Sequence, residues 1–124
     1  MILEFDEDRI NNLTVKDVTE WYSNHHTEQD LADVYELVHE MEVYYEDCTY
    51  DYEEGTTEYN QAIKIYDEWC ALFHRLEDEI LAVLRSHNLN VEVLDIQALE
   101  TFMSWHGYEE SGGWFIKEED AGAD

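Results

Sequence analysis

Residues 28–52, EQDLADVYELVHEMEVYYEDCTYDY, carry apolar side chains at alternating intervals of three and four residues. The residues at this spacing are Leu31, Val34, Val38, Met41, Tyr45, Cys48 and Tyr52. Such spacing is typical of a narrow, coiled-coil-like seam on a helix. Thr27 is placed to cap the helix, and Glu28 and Asp30 in the first turn complement the helix dipole. The stretch therefore predicts a long helix with one buried edge.

A second stretch with the same spacing follows a short turn at residues 53–57, where Gly55 ends one helix and Thr56 or Thr57 caps the next. Its seam consists of Tyr59, Ala62, Tyr66, Trp69, Phe73, Leu76, Ile80, Val83 and His87, and the stripe is widened by Ile63, Cys70, Leu81 and Leu84. The wider stripe predicts that this helix is the more buried of the two. Two such helices joined by a short turn predict an antiparallel hairpin over residues 28–87.

Shorter elements are predicted on both sides of the hairpin. A helix over residues 15–24 is capped by Thr14 and turns four side chains inward, namely Val15, Val18, Trp21 and Tyr22. Asp95 caps a second short helix that ends at Gly107 and carries Ile96, Leu99, Phe102 and Met103.

The termini suggest a small β element. Residues 91–93 alternate as a short extended piece, and residues 114–116 form a strand or an apolar plug that pairs with residues 2–5. We expect residues 89–117 to hold the last helix and this plug, and residues 118–124 to form a frayed acidic tail. The 124 residues thus predict a single, mainly α domain over 1–124: a long helical hairpin with additional short helices and a small two-stranded β element from the termini.

The composition limits the classes of function. Thirty-two acidic residues against six basic ones leave a formal net charge of −26, which repels nucleic acid and anionic membranes. The two cysteines, Cys48 and Cys70, fall in apolar helical patterns and suggest reduced core thiols. No stretch has the apolar length of a membrane span, and the acidic N-terminus is unlike a secretory signal. We therefore expect a cytoplasmic protein that contacts neither nucleic acid nor membrane directly.

The acidic residues are concentrated where bases are absent. Between Lys16 and Lys64 lie 47 residues without Lys or Arg, and 14 of them are Asp or Glu. With the seam turned inward, six of these acids form a row along the second helix: Asp33, Glu36, Glu40, Asp47, Asp51 and Glu54. Carboxylates one turn apart lie about 5–6 Å from each other, on the scale of successive phosphates in nucleic acid. Tyr44 and Tyr50 stand among them, and tyrosine beside charge is common at interface hot spots. The sequence thus predicts that these eight residues bind a partner.

Other readings of these residues are weaker. The row could be a solvated helix face or an adaptation to high salt, but solvated faces usually interleave acids with bases. Asp47, Thr49, Asp51 and Glu58 have the spacing of calcium ligands, yet Tyr52 occupies the required glycine position. Cys70 and His74 could ligate zinc with Cys48, His39 or His87, although core packing explains the cysteines. No catalytic motif is present, so we expect neither an enzyme nor a cofactor.

The small size and the acidic stretch YELVHEMEVYYEDCTYDYEE, residues 35–54, resemble those of phage-encoded proteins that mimic DNA, including some anti-CRISPR, anti-restriction and uracil-DNA-glycosylase inhibitors. The resemblance implies a non-catalytic inhibitor that blocks the DNA- or RNA-binding groove of a basic protein, such as a nuclease or a Cas-type effector. An immunity protein or antitoxin against a basic nuclease toxin is one alternative. An acidic structural or cation-binding helical protein is another. Because long seams also pair between chains, a homodimer is possible.

Overall fold

The computed structural model describes residues 14–111 and 114–117. In chain order the elements are α1 (Val15–Asn24), α2 (Glu28–Thr49), α3 (Thr57–Ser86), α4 (Ile96–Trp105), β1 (Tyr108–Ser111) and β2 (Trp114–Lys117). The fold is therefore mainly α with a small β element, as the sequence predicts.

Each helix begins at a residue that the sequence marks as a cap. Thr14 Oγ1 accepts a hydrogen bond from the Asp17 amide at 3.1 Å, and Thr27 Oγ1 accepts one from the Asp30 amide at 3.0 Å. In both cases the aspartate carboxylate in turn accepts a hydrogen bond from the backbone amide of the cap residue. Two amide donors at each helix start, which would otherwise be unpaired, are thereby satisfied. Asp95 caps α4 as predicted, and of the two candidates for α3 the cap is Thr56.

The long helices α2 and α3 pack against each other as an antiparallel hairpin, which confirms the central prediction. The Tyr35 ring stacks on Phe73 with centroids 4.7 Å apart, and Tyr45 stacks near Trp69 at 6.2 Å. Gly55 adopts a φ of 93° in the connecting turn, a left-handed conformation that favours glycine. The two seams thus meet within the chain.

The distribution of burial between the two helices differs from the prediction. The expectation that α3 is the more buried helix is wrong, because eight of the 22 residues of α2 are buried but only six of the 30 residues of α3. Ala32, Tyr35 and Leu37 lie outside the predicted seam, yet each is at most 2% exposed. At the far end the seam prediction also fails: Tyr45 and Cys48 are only half-buried, and Tyr52 lies past the helix end, 46% exposed.

The C-terminal region packs on the same end of the hairpin as α1. Tyr108 in β1 donates a hydrogen bond to Asp33 on α2, and Gln29 donates one to the His106 carbonyl. Gly107 ends α4 with a φ of 83°, as predicted.

Two details of this region differ from the prediction or extend it. Residues 91–93 form no strand, because Arg85 donates to the carbonyls of Val91 and Glu92 and holds this segment as a loop. The predicted strand at residues 114–116 lies within β2, but its partner is β1, with Tyr108 opposite Lys117. The proposed pairing with residues 2–5 and the frayed tail at 118–124 lie outside the described residues.

The hairpin consists of two parts that differ in how many of their residues are buried. We call residues 42–68 the tip, and residues 28–41 and 69–86, together with α1, α4 and the β strands, the base. The base holds the hydrophobic core, which includes Val34, Val38, Leu76, Ile80 and Leu84 at 0% exposure. Within the tip, all of which the structure describes, only Thr49 and Ala62 are buried. The tip is therefore a pair of helices that packs on itself and on the base.

Candidate protein-binding surface

The tip concentrates negative charge and tyrosine. It has a single basic residue, Lys64, beside nine acids: Glu42, Glu46, Asp47, Asp51, Glu53, Glu54, Glu58, Asp67 and Glu68. Six of the nine tyrosines of the chain also lie there, at positions 44, 45, 50, 52, 59 and 66. Because so little of the tip is buried, most of these charged groups face solvent.

Four of the eight predicted partner-binding residues lie together at the end of the tip. Asp47, Tyr50, Asp51 and Glu54 are all exposed, and the Tyr50 side chain is 78% exposed. Helix α2 ends at Thr49, with Tyr50 as its C-cap, so Asp51 and Glu54 lie in the turn rather than on the helix. The prediction of a row that follows one helix to residue 54 is therefore wrong, although its last members stay close in sequence around the turn.

The other three predicted acids lie in the base and are half-buried: Asp33, Glu36 and Glu40. Asp33 Oδ1 accepts a hydrogen bond from the Tyr108 hydroxyl at 2.7 Å and another from Gln29 Nε2 at 3.1 Å. A carboxylate held by two donors joins α2 to β1 and has less capacity to bind a partner. The structure thus divides the predicted acidic row into a basal part and an exposed part.

The Tyr44 side chain is half-buried rather than fully exposed to solvent. Its ring meets Tyr45 edge-on with centroids 5.1 Å apart, and Tyr45 is itself stacked near Trp69. Burial and the neighbouring Cys48 raise the pKa of Tyr44, so its hydroxyl stays protonated at neutral pH. Tyr44 therefore links the surface of the tip to the core instead of standing free among the acids.

A second group of polar residues, which sequence reasoning missed, lines one side of the α2–α3 interface. Burial raises the pKa of Glu42, and Glu46 and Glu77 raise it further. A hydrogen bond to Cys70 and burial raise the pKa of the Tyr66 hydroxyl. The signal was the spacing of Glu42 and Glu46, four residues apart on the side of α2 away from the predicted row. Glu42 and Glu46 thus add acidic groups to a second side of the tip.

The two cysteines are half-buried beside tyrosines rather than deep in the core. Both thiols are free, and burial raises the pKa of Cys70. Across the described residues, no three His, Cys, Asp or Glu side chains are grouped so that they could hold a metal ion.

This arrangement favours electrostatic binding to a basic surface. Charges on the tip act over about 8–10 Å at physiological ionic strength, and few opposite charges lie close enough to cancel them. Exposed Tyr50 and Tyr52 supply apolar area and ring faces between the carboxylates, which suits contact with Arg or Lys side chains. In the described part of the chain, no helix has the length and apolar character to cross a membrane.

The chain matches no protein-family model, no curated protein sequence and no solved structure. The candidate surface therefore stands on its own residues.

Proposed function

We propose that this protein is a non-catalytic inhibitor whose acidic tip occupies the nucleic-acid-binding groove of a basic protein. The carboxylates around the turn, from Asp47 to Glu58, take the places of phosphates there. The observation that carries the proposal is the tip itself, in which nine acids and one base lie on a segment with only two buried residues.

The shape of the tip suits entry into a groove. It is one layer of helices thick, about 10–12 Å, and the base lies only at one end of it. The stacking of Tyr45 near Trp69 joins the tip to the base core, and the turn that carries Asp51, Glu53 and Glu54 is held at both ends by the paired helices. Positions fixed before binding lower the entropy lost on association.

The tyrosines add contact area that phosphates lack. Tyr50 and Tyr52 are exposed beside Asp51, so an Arg of the partner can stack on a ring while it pairs with a carboxylate. A mimic with such anchors competes with nucleic acid through charge and gains affinity through apolar contact.

The class of target follows from the charge. A basic nuclease or a Cas-type effector, as in anti-CRISPR or anti-restriction inhibition by a phage protein in the host cytoplasm, presents the positive groove that such a tip would fill. Association should be fast because opposite fields steer the encounter, and it should weaken with added salt. For a handful of ion pairs we expect a loss of affinity on the order of 10²-fold between about 50 and 200 mM salt.

The test compares two charge-reversed variants of equal net charge. The tip variant changes Asp47, Asp51, Glu53 and Glu54 to Lys, and the control variant changes four exposed acids outside the tip to Lys: Glu20, Asp78, Glu92 and Glu100. Each protein is used to capture partners from a host lysate with a salt gradient and with competing DNA or RNA.

We expect the wild type and the control variant to retain the same basic, nucleic-acid-binding protein, and the tip variant to lose it. Added DNA or RNA should release the captured protein. Capture by both variants alike, or capture that neither salt nor nucleic acid affects, would show that the tip is not a nucleic-acid mimic.

A further inference from the structure

A cavity of about 440 Å³ lies in the base, between α1, the start of α2 and the second half of α3. This volume falls in the range of small-molecule sites, roughly 300–1,000 Å³. Tyr22 and Leu31 form a buried apolar wall, and Val83 adds a half-buried one. None of the tip residues lines it, so it is separate from the proposed protein-binding surface.

Glu79 in the wall of this cavity is half-buried, and one of its two carboxylate oxygens is buried without a hydrogen-bond partner among the described residues. Glu79 Oε1 accepts a long hydrogen bond of 3.4 Å from the Tyr22 hydroxyl. Glu79 Oε2 is buried and has no hydrogen-bond partner among the described residues. Burial and the Glu79 charge raise the pKa of Tyr22 to about 12, so the Tyr22 hydroxyl stays protonated and remains a donor to Glu79. An unsatisfied buried carboxylate oxygen is unusual and indicates a missing donor.

The guanidinium of Arg75 lines the same cavity, one turn of α3 before Glu79. Arg75 precedes Glu79 by four residues on α3, a spacing at which opposite charges commonly pair. Across residues 14–111 and 114–117, however, the Arg75 guanidinium makes neither a hydrogen bond nor an ion pair. The cavity therefore presents one positive and one negative group that do not satisfy each other.

The other carboxylate in the wall is already engaged. Glu28 lies 3.2 Å from His87 Nε2 and 3.7 Å from His106 Nε2. Its contacts tie α2 to α3 and α4, which leaves Glu79 as the acceptor available to a ligand.

We propose that this cavity binds a small zwitterion, an α-amino acid with an apolar side chain. The ammonium group donates to Glu79, the carboxylate accepts from Arg75, and the side chain packs against Leu31 and Val83. Side chains four residues apart on a helix are about 5–6 Å apart at Cβ, a span that two charged groups on one carbon can bridge. The terminal torsion of a glutamate is broad, so a modest rotation turns Oε2 toward the cavity.

Ligands with one charge fit less well. A simple amine would satisfy Glu79 but leave Arg75 unpaired, and a simple carboxylate would pair with Arg75 beside the Glu79 charge. The zwitterion is the smallest class that satisfies both groups.

Three probes with the same branched tail test this directly: leucine, isoamylamine, which lacks the carboxylate, and isocaproate, which lacks the ammonium. Each is titrated into the isotope-labelled full chain, and the methyl and amide resonances of Leu31 and Val83 are followed by NMR. We expect leucine to shift these resonances and to bind at least about tenfold more tightly than either single-charge probe, about 1.4 kcal/mol. Equal binding of isoamylamine and leucine, or no shift at about 10 mM leucine, would overturn the proposal.

Substitutions distinguish leucine binding in the cavity from a general attraction of leucine to an acidic protein. Glu79→Gln and Arg75→Gln should each weaken leucine binding about tenfold or more. Asp78→Asn removes the same charge as Glu79→Gln from an exposed neighbouring position outside the cavity and should leave binding unchanged. Equal weakening by Asp78→Asn would mean non-specific counterion binding and would contradict the proposal. Arg75 is exposed, so its variant decides the outcome even if circular dichroism shows that Glu79→Gln does not fold.

Discussion

The base and the tip are built from the same two helices, but they are held together differently. In the base, α2 and α3 share a core with α1, α4 and β1, and residues such as Val38 and Ile80 are completely buried. In the tip the two helices pack on each other and, through Tyr45, on the base, and Thr49 and Ala62 are the sole buried residues in that fully described segment. The folding free energy is therefore supplied mainly by the base, which supports a tip that contributes little to it.

The charged residues are also distributed unequally between the base and the tip. Of the five Lys and Arg residues within 14–111 and 114–117, only Lys64 lies in the tip, and the others are Lys16, Arg75, Arg85 and Lys117. Arg85 is used structurally, since it donates to two carbonyls of the loop before α4. The formal charge is −8 over the 27 residues of the tip and −11 over the 75 described residues outside it, so the density of uncompensated charge is highest where the core is thinnest. This arrangement is expected of a binding element carried by a stable scaffold.

The largest predicted difference between the two regions concerns apolar truncation on α3. Leu76→Ala in the base removes a side chain with 0% exposure and should lower the free energy of unfolding by about 3 kcal/mol. Ile65→Ala in the tip removes one that is 39% exposed and should cost less than about 1 kcal/mol. Urea denaturation followed by circular dichroism measures both. Equal losses would mean that the tip is packed as tightly as the base.

A smaller difference is expected between two aspartates of α2. Asp33→Ala leaves the buried Tyr108 hydroxyl without its acceptor and should destabilise the protein by about 1–2 kcal/mol. Asp47→Ala removes an exposed carboxylate from the tip and should be neutral or slightly stabilising. The same denaturation measurement compares them, because each change removes one charge from one helix. If the two values are alike, Asp33 is not the structural link that separates the basal part of the row from the exposed part.

The smallest predicted effect is a pH-dependent change in stability at Glu42, the residue at which the tip begins. Burial raises the folded-state pKa of Glu42 above its ordinary value of 4.5, so the stabilisation from protonating it is complete below that pH and is lost as the pH rises through the folded pKa. Glu42→Gln should therefore stabilise the protein at pH 7. Screening by the remaining solvent contact keeps the gain to about 0.5 kcal/mol or less.

The gain from Glu42→Gln should shrink as the pH falls from 7 toward 4.5, and thermal melts of the variant and the wild type at several pH values would show it. His39, whose pKa burial lowers, is present in both proteins and cancels in the difference. Asp47→Asn, an exposed change of equal charge, reports the general relief of repulsion. A gain no larger than that of Asp47→Asn would place Glu42 outside the shielded interface.

The sequence predicted those features that depend on neighbours along the chain. The caps at Thr14, Thr27 and Asp95 rest on hydrogen bonds three residues away, and the hairpin rests on a repeated apolar spacing, so local pattern was sufficient. The greater burial of α2 depends on which elements pack beside it. Tyr108 contacts Asp33 across 75 residues, a distance that no local pattern reports.

The exposed residues of the candidate surface could be predicted from the sequence, whereas its half-buried residues could not. Asp47, Tyr50 and Asp51 are exposed, as the run of acids without a base suggested. The half-burial of Asp33 and Tyr44 could not be predicted, because it depends on β1 and on the Tyr45–Trp69 contact. The cavity at Glu79 likewise needs three helices in place before it exists.

The stacking of Tyr45 near Trp69 at the border of the two regions also has an optical consequence. The tip holds six tyrosines and no tryptophan, whereas Trp69 lies just below it, 1% exposed. Light absorbed by the tyrosines can pass to this indole as excitation energy, while light absorbed by tryptophan alone bypasses the tip. Because Trp21, Trp105 and Trp114 also emit, a variant with these three changed to Phe isolates the Trp69 signal. The ratio of its emission on tyrosine excitation to its emission on tryptophan excitation then reports changes in the surroundings of the tip.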